Sequence, residues 1–304
     1  MTRFRLGTRG SPLALTQARM VRAALCTAHG WAEGDIEIVI IKTTGDMVQD
    51  RALAEIGGKA LWTKELDRAL LAGEIDCAVH SMKDVETIRP PAIAIAAMLP
   101  RADVRDRLIG AESLNALPEG AVLGTSSPRR TAQVQRLRPD IRIVLLRGNV
   151  DTRLAKVASG EIDATLLAAA GLDRLGHGDV GAAVPIDVML PAPAQGAVGI
   201  EALAGSAAAA LLTAIADAAT MACVGAERTL LAALGADCHS PMAALAVIEG
   251  GVMILRGALF SSDGRDHVAA SATGTADGPA DFAAALAGEL LARAPDAVRQ
   301  HFGK

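Results

Sequence analysis

Residues 124–153, GTSSPRRTAQVQRLRPDIRIVLLRGNVDTR, gather the chain's most suggestive chemistry. The window 122–156 holds seven Arg and one Lys against Asp140 and Asp151, a net +6, whereas the whole chain carries −4. Thr125, Ser126 and Ser127 supply hydroxyls and backbone N–H groups, Pro128 follows, and Arg129 and Arg130 lead into a helical pattern. Donors at a helix start, backed by guanidinium forks, make a site for anions. Arg147-Gly148-Asn149 directly follows the apolar Ile143-Val144-Leu145-Leu146, which puts Arg147 at a strand end, and Arg153 stands just beyond Thr152. Arg136, Arg138 and Arg142 read as solvated charges flanking the helix. The ligand expected is a small molecule with several carboxylates or phosphates.

Three more places invite chemistry. Arg9, with Gly7, Thr8, Gly10 and Ser11, occupies a strand-to-helix turn of the same composition. By itself it is a surface turn with a helix cap, but two such turns suggest an anion cleft with two sides. His80-Ser81-Met82-Lys83-Asp84 follows a short apolar run, where α/β domains present catalytic groups. Asp84 suits acid–base work or stabilisation of a cation, although a salt bridge to Lys83 explains it too, and His80 reads equally as a core histidine. Cys238 lies in a loop between Gly235-Ala236-Asp237 and Ser240-Pro241, unlike Cys26, Cys77 and Cys223, which sit in apolar periodic segments. A loop thiol near a cationic cleft is a candidate nucleophile. No CxxC pair occurs and no metal site is expected.

The elements that must hold these residues are legible as alternation. Strands are expected at 4–8, 36–41, 77–80 and 93–98, and helices at 13–28 and 61–71. After an abrupt change at 100–106 the pattern restarts with strands at 122–124, 143–146 and 164–167 and helices at 131–137 and 150–158. A proline-marked crossing at 185–193 leads to an apolar run at 197–200, a largely helical stretch at 207–234, three strand-like runs and a helix at 280–292. Two successive strand–helix blocks imply an α/β fold. Two lobes resembling periplasmic binding proteins are expected, joined by a double crossover, with a smaller C-terminal α+β domain. The boundaries expected are 1–99 with 195–215, then 100–194, then 216–304. With four Phe, two Trp and no Tyr, stacking on single-stranded nucleic acid is disfavoured. No apolar run reaches membrane-spanning length and no secretory signal opens the chain, so a cytoplasmic monomer is expected, without nucleic-acid or membrane partners.

Longer blocks then converge. LGTRGSPLALTQA, KTTGD, GGKALWTKELDRALLAGEIDCAVHSMKDV, GTSSPRRTAQ, LRGNVDTRLAKV, AAAGLDRLG, QGAVGIE and AERTLLAALGADCHSP give a chain that resembles the porphobilinogen deaminase (hydroxymethylbilane synthase) family over almost its whole length. The resemblance implies a transferase that releases ammonia from porphobilinogen and couples four units head to tail into 1-hydroxymethylbilane. It implies a dipyrromethane cofactor joined by a thioether to Cys238 and a catalytic aspartate at Asp84. Lys83, Asp84, Thr125, Ser126, Ser127, Arg129, Arg130 and Arg147 fall on cofactor-binding positions. Arg9, Ser11, Trp62, Arg147, Arg153, Arg174 and Gln195 fall on substrate-binding positions. The chain departs from the family pattern at Glu55, Ala60, Trp62, Glu86, Pro128, Pro193-Ala194 and Ala236-Asp237, which touches loops rather than named catalytic groups. A mobile lid is expected over 42–58. A two-lobed, non-catalytic receptor for a polycarboxylate would explain the arginines but not Asp84 or Cys238, and a cysteine hydrolase would need a base that the sequence does not identify.

Overall fold

The computed structural model describes residues 4–42, 63–276 and 278–303. The expected lid beyond Lys42, together with Glu55, Ala60 and Trp62, lies outside the described residues. The chain forms two compact units, residues 1–102 with 196–221 and residues 103–195 with 222–304. It leaves the first after Ala102, returns after Gln195 and leaves again after Met221, which makes the fold α/β with a double crossover.

In the first unit, β1 (Phe4–Thr8), β2 (Ile36–Ile40), β3 (Cys77–Ser81), β4 (Ile93–Met98) and β10 (Val198–Leu203) form one sheet in the order β2-β1-β3-β10-β4. The β1 pairings are parallel, whereas β10 runs antiparallel to both β3 and β4. Helix α1 (Pro12–His29) starts with Ser11 as cap and Pro12 at its first position, as the Ser-Pro dipeptide predicts. Its Ala18, Val21 and Leu25 recur at helical spacing and join Leu6, Cys77, Val79 and Ile200 in a closed core. Each such leucine or isoleucine contributes about 1.5–3 kcal/mol when fully buried. Helix α2 (Lys64–Leu71) covers the other sheet face through Leu66, Ala69 and Leu70.

The second unit repeats the scheme. Strands β5 (Asp106–Ile109), β6 (Val122–Gly124), β7 (Arg142–Val144), β8 (Ala164–Ala168) and β9 (Ala182–Ala183) take the order β7-β6-β8-β5-β9. Here β5 is the antiparallel fourth strand, the place that β10 holds in the first sheet. Helices α3 (Pro128–Leu137), α4 (Val150–Ala158) and α5 (Ala169–Arg174) connect them. Helix α3 begins three residues before the apolar periodicity does, because Ser127 caps it and Pro128 suits its first turn. Strand β5 was not among the expected strands: two of its four residues are charged, and both charges are neutralised by partners distant in sequence.

In the expected helical stretch 207–234, α6 (Ala207–Leu212) and α7 (Ala218–Ala233) are separated by a break at which Asp217 caps Thr220. The tail, within the second unit, is an antiparallel sheet of β11 (Met242–Glu249), β12 (Val252–Phe260) and β13 (His267–Gly274), followed by α8 (Pro279–Arg293) and α9 (Asp296–Arg299). Leu230 and Leu234, at the C-terminal end of α7 and just beyond it, pack with Leu286 and Leu290 of α8 against Leu255 and Leu259.

Candidate active site

The first group of site residues is built where β1 and β3 end. Arg9, Ser11, Gln17, His80, Ser81 and Asp84 line one cavity of about 60 Å³. Ser11 holds the start of α1 by accepting the Ala14 N–H at 3.3 Å. One turn later the buried Gln17 donates from Nε2 to Ser81 Oγ at 2.8 Å and so ties α1 to the end of β3. Beyond Ser81 the chain makes a single 3₁₀ turn, Met82–Asp84, closed by the Val85 N–H on the Met82 carbonyl at 3.2 Å. That turn presents Lys83 and Asp84 at the strand end. Among the described residues, no hydrogen bond or ion pair engages the Asp84 carboxylate.

Beneath this turn lies a buried charge cluster. Arg89 donates from Nε to Glu201 Oε1 at 2.7 Å and from Nη1 to Glu86 Oε2 at 2.5 Å, and also pairs with Asp67. His80 Nε2 stands 3.1 Å from Glu201 Oε2. Burial would raise the Glu201 carboxyl, but His80 and Arg89 hold it at about 2. For Asp67 and Glu86 burial prevails and both carboxyls are pushed up despite Arg89. Glu86 pairs with Arg89 three residues on and accepts the Thr63 hydroxyl at 3.1 Å. Sequence reading missed Arg89 and Glu201 as site neighbours, since only the fold joins 86–89 to β10.

The second group gathers on Asp106, a buried residue that sequence reading passed over as part of a crossing. Arg129 Nη2 donates to Asp106 Oδ2 and Arg130 Nη2 to Asp106 Oδ1, each at 2.7 Å. Their Nη1 groups reach the carbonyls of Leu190 (2.9 Å) and Leu166 (2.8 Å). Gln195 joins the same carboxylate, with Nε2 at 3.0 Å from Oδ1. Burial would raise the Asp106 carboxyl, but the two guanidiniums override it and hold it well below the usual carboxylate range. Arg129 and Arg130 are both buried, and among the described residues each keeps a buried Nε–H without an acceptor. The signal available in the sequence was the adjacency of two arginines in a first helical turn, which burial permits only beside a counter-charge.

The hydroxyls between β6 and α3 organise the turn. Thr125 Oγ1 accepts the Ser127 N–H at 3.1 Å, Ser127 Oγ accepts the Arg130 N–H at 3.4 Å, and Ser126 lies half-buried between them. Gln195 follows a turn closed by its own N–H on the Ala192 carbonyl at 3.0 Å. Pro193 and a left-handed Ala194 (φ 61°) occupy its centre, the geometry of a type II turn that glycine usually serves. Arg147 lies three residues beyond the end of β7, and among the described residues its buried Nη1 has no hydrogen-bond partner. Gly148 (φ 110°) and the Asn149 cap of α4 follow, and Arg153 donates from Nε to the Gly148 carbonyl at 2.9 Å. Arg174 closes α5, where burial lowers its pKa.

Cys238 is exposed, in contrast to the buried Cys77 and Cys223. Asp237 shapes its loop, with Oδ1 accepting the His239 N–H at 2.8 Å and the backbone carbonyl accepting the Ser240 N–H at 3.1 Å. The structure thus joins Arg9, Ser11 and Asp84 in one cavity and Arg129, Arg130 and Gln195 on one carboxylate. Arg147 and Arg153 flank Gly148, and Cys238 and Arg174 each stand on their own elements.

A family model described as porphobilinogen deaminase, dipyromethane cofactor binding domain, matches residues 4–210, and a second, porphobilinogen deaminase, C-terminal domain, matches 221–292. The chain belongs to the porphobilinogen deaminase family. A relative named porphobilinogen deaminase from Sphingopyxis alaskensis is 58% identical, covering 98% of this chain and 96% of its own length. Another of that name from Paracoccus denitrificans is 51% identical over 96% of this chain and 95% of its own length. Among solved structures, a periplasmic substrate-binding protein of an ABC transporter from Coxiella burnetii overlaps 70% of this chain and 91% of its own, at 13% identity and a TM-score of 0.42. That structural likeness is too low to bear on the site. Membership in the porphobilinogen deaminase family brings a domain for a dipyrromethane cofactor, and the chain's own donors suit one: among the described residues the buried Nε–H groups of Arg129 and Arg130 and the Nη1 of Arg147 lack acceptors, which carboxylate arms would supply.

Proposed function

We propose that the chain is a transferase that deaminates four porphobilinogen molecules and joins them head to tail into 1-hydroxymethylbilane, with release of ammonia. Membership in the porphobilinogen deaminase family carries this reading, and the meeting of Arg9, Ser11 and Asp84 in one cavity supports it. Porphobilinogen bears acetate and propionate arms. Arg9, Ser11, Arg147, Arg153, Arg174 and Gln195 are assigned to it, together with Trp62. Arg–carboxylate contacts contribute about 1.5–3 kcal/mol each, so several together hold a polyanion in register. The dipyrromethane, attached through a thioether to Cys238 and held by Lys83, Asp84, Thr125, Ser126, Ser127, Arg129, Arg130 and Arg147, supplies when bound a pyrrole carbon on which the chain can grow.

Asp84 does the electrostatic work. As ammonia leaves the aminomethyl carbon, positive charge develops on the pyrrole, and a carboxylate within reach of the pyrrole N–H stabilises it. Such a preorganised group contributes roughly 3 kcal/mol. Gln17 locks Ser81 and thereby the strand end that carries the turn, so the carboxylate need not reorganise during reaction. Lys83, next in the chain, balances the charge of Asp84. A cytoplasmic monomer acting on a small molecule, with neither nucleic acid nor membrane as partner, fits this chemistry; among the described residues no single helix is long and apolar enough to cross a membrane.

The test is Asp84→Ala. Bilane formation from porphobilinogen falls by roughly a hundredfold or more, while far-UV circular dichroism and porphobilinogen binding are retained. Turnover near that of the unaltered chain would remove Asp84 from the mechanism.

A further inference from the structure

The second unit carries a groove of about 450 Å³ that this reaction does not use. Its floor is the face of β12 and β13 turned away from α7 and α8. Ile254, Arg256 and Ala258 alternate onto that face from β12, and Ser271 and Ala269 stand opposite Arg256 and Ala258 in the β13 register. The small side chains at 258, 269 and 271 keep the floor low. One wall is the C-terminal end of α3 and the other is the segment 186–190. From these walls Leu137 is 36% and Val188 45% exposed, two large apolar side chains left to solvent.

The charges of the groove are mostly positive. Arg136, from the α3 wall, makes no ion pair among the described residues. Arg256 rises from the floor and pairs with Asp187 at 2.9 Å, but the Asp187 side chain is 80% exposed, so it can swing into water at little cost. His267 stacks on Phe260 with ring centroids 6.2 Å apart. Burial first, and then the positive charge of Arg136, push its pKa down against an upward pull from Asp266. Two guanidiniums and an imidazole above an apolar, low floor complement a flat ligand with an anionic end.

We propose that this groove binds a small aromatic carboxylate. Its ring rests on Ala258 and Ala269 between Leu137 and Val188, and its carboxylate is shared by Arg136 and Arg256 in place of Asp187. The site is separate from the one that grips the pyrrole arms. Arg129 and Arg130 occupy the first turn of α3 and are taken up by Asp106, whereas Arg136 lies seven residues on, roughly 10 Å along the helix axis. A ligand here bridges α3 to the C-terminal sheet that follows the Cys238 loop.

Titration calorimetry on the holoprotein with 2-naphthoate as probe tests the proposal. Saturable binding of one naphthoate per groove is expected. Arg136→Ala and Arg256→Ala each weaken it at least about tenfold, and both keep the bilane-forming rate of the unaltered chain. Leu137→Glu, which leaves both arginines in place and sets a negative charge in the wall, weakens it as well. Neutral 2-naphthol and inorganic phosphate each bind at least about tenfold less tightly than naphthoate. Naphthoate binding unchanged in the three variants would place the probe elsewhere and overturn the assignment. Phosphate binding as tight as naphthoate would overturn the aromatic part, leaving a bare anion site. A dimer that naphthoate dissociates would show the groove to be covered by a second copy of the chain, and would overturn it too.

Discussion

Replacing Asp106 by asparagine removes one negative charge from a place where two buried guanidiniums depend on it. Oδ2 receives Arg129 and Oδ1 receives both Arg130 and Gln195. An asparagine offers a single oxygen, so one guanidinium then faces an NH₂ group, and both cations lose their counter-charge inside the protein. Breaking a buried ion pair from one side costs about 3–5 kcal/mol. Asp106→Asn is therefore expected to lower the free energy of unfolding by at least about 3 kcal/mol at pH 7, read by urea unfolding followed with far-UV circular dichroism. The sign of the pH dependence follows from the depressed folded-state pKa of Asp106. The stability it contributes is fully present above the unfolded carboxyl value of about 3.9 and is lost as pH falls towards the folded value. The gap between the two proteins thus stays constant from pH 7 to about pH 4 and narrows only below that. A gap under about 1 kcal/mol at pH 7, or one that closes already between pH 7 and pH 5, would refute the reasoning.

Two further substitutions follow from the site geometry. A methyl group at Gly199 would sit 2.0 Å from Met82 Sδ and 2.7 Å from its Cγ, and Met82 is fully buried at the head of the turn that carries Asp84. Gly199→Ala is expected to cost about 1–3 kcal/mol of stability and to lower kcat, with Met82→Ala in the same chain restoring part of both; kinetics unchanged from the unaltered chain would separate that turn from catalysis. Arg147→Ala removes a buried Nη1 donor that lacks an acceptor among the described residues. It should stall elongation and accumulate short pyrrole chains on the protein by mass spectrometry, at little cost to thermal stability, and an unaltered pattern of intermediates would exclude Arg147 from carboxylate binding.

How much of this was legible in the sequence depended on how local the cause was. The start of α1 could be read from its Ser-Pro dipeptide, whereas α3 was expected from 131 and begins at Pro128, where Ser127 caps it. The arginine cluster announced an anion site because its charge stands out in an acidic chain. Its geometry did not follow, because the partner of Arg129 and Arg130 lies 23 and 24 residues away at Asp106, in a strand too short and too charged to show a period of two. The Arg89 cluster failed for the same reason: Asp67, Glu86 and Glu201 meet only once β10 has returned to pair with β3 and β4. Glu86 was visible as a departure from the family pattern, but Arg89 became meaningful as its partner only when the fold set both against the buried Glu201 and Asp67. Ala194 was visible as a departure, but its left-handed conformation was not, because a proline before it suits type I and type II turns alike.

Intact mass spectrometry of the denatured protein tests whether the pyrrole chain grows on a primer tethered at Cys238. The unaltered chain should carry an excess mass matching one dipyrromethane, and Cys238→Ser should carry none and form no bilane. An active protein of unmodified mass, or a Cys238→Ser variant that keeps the adduct and the activity, would contradict the account.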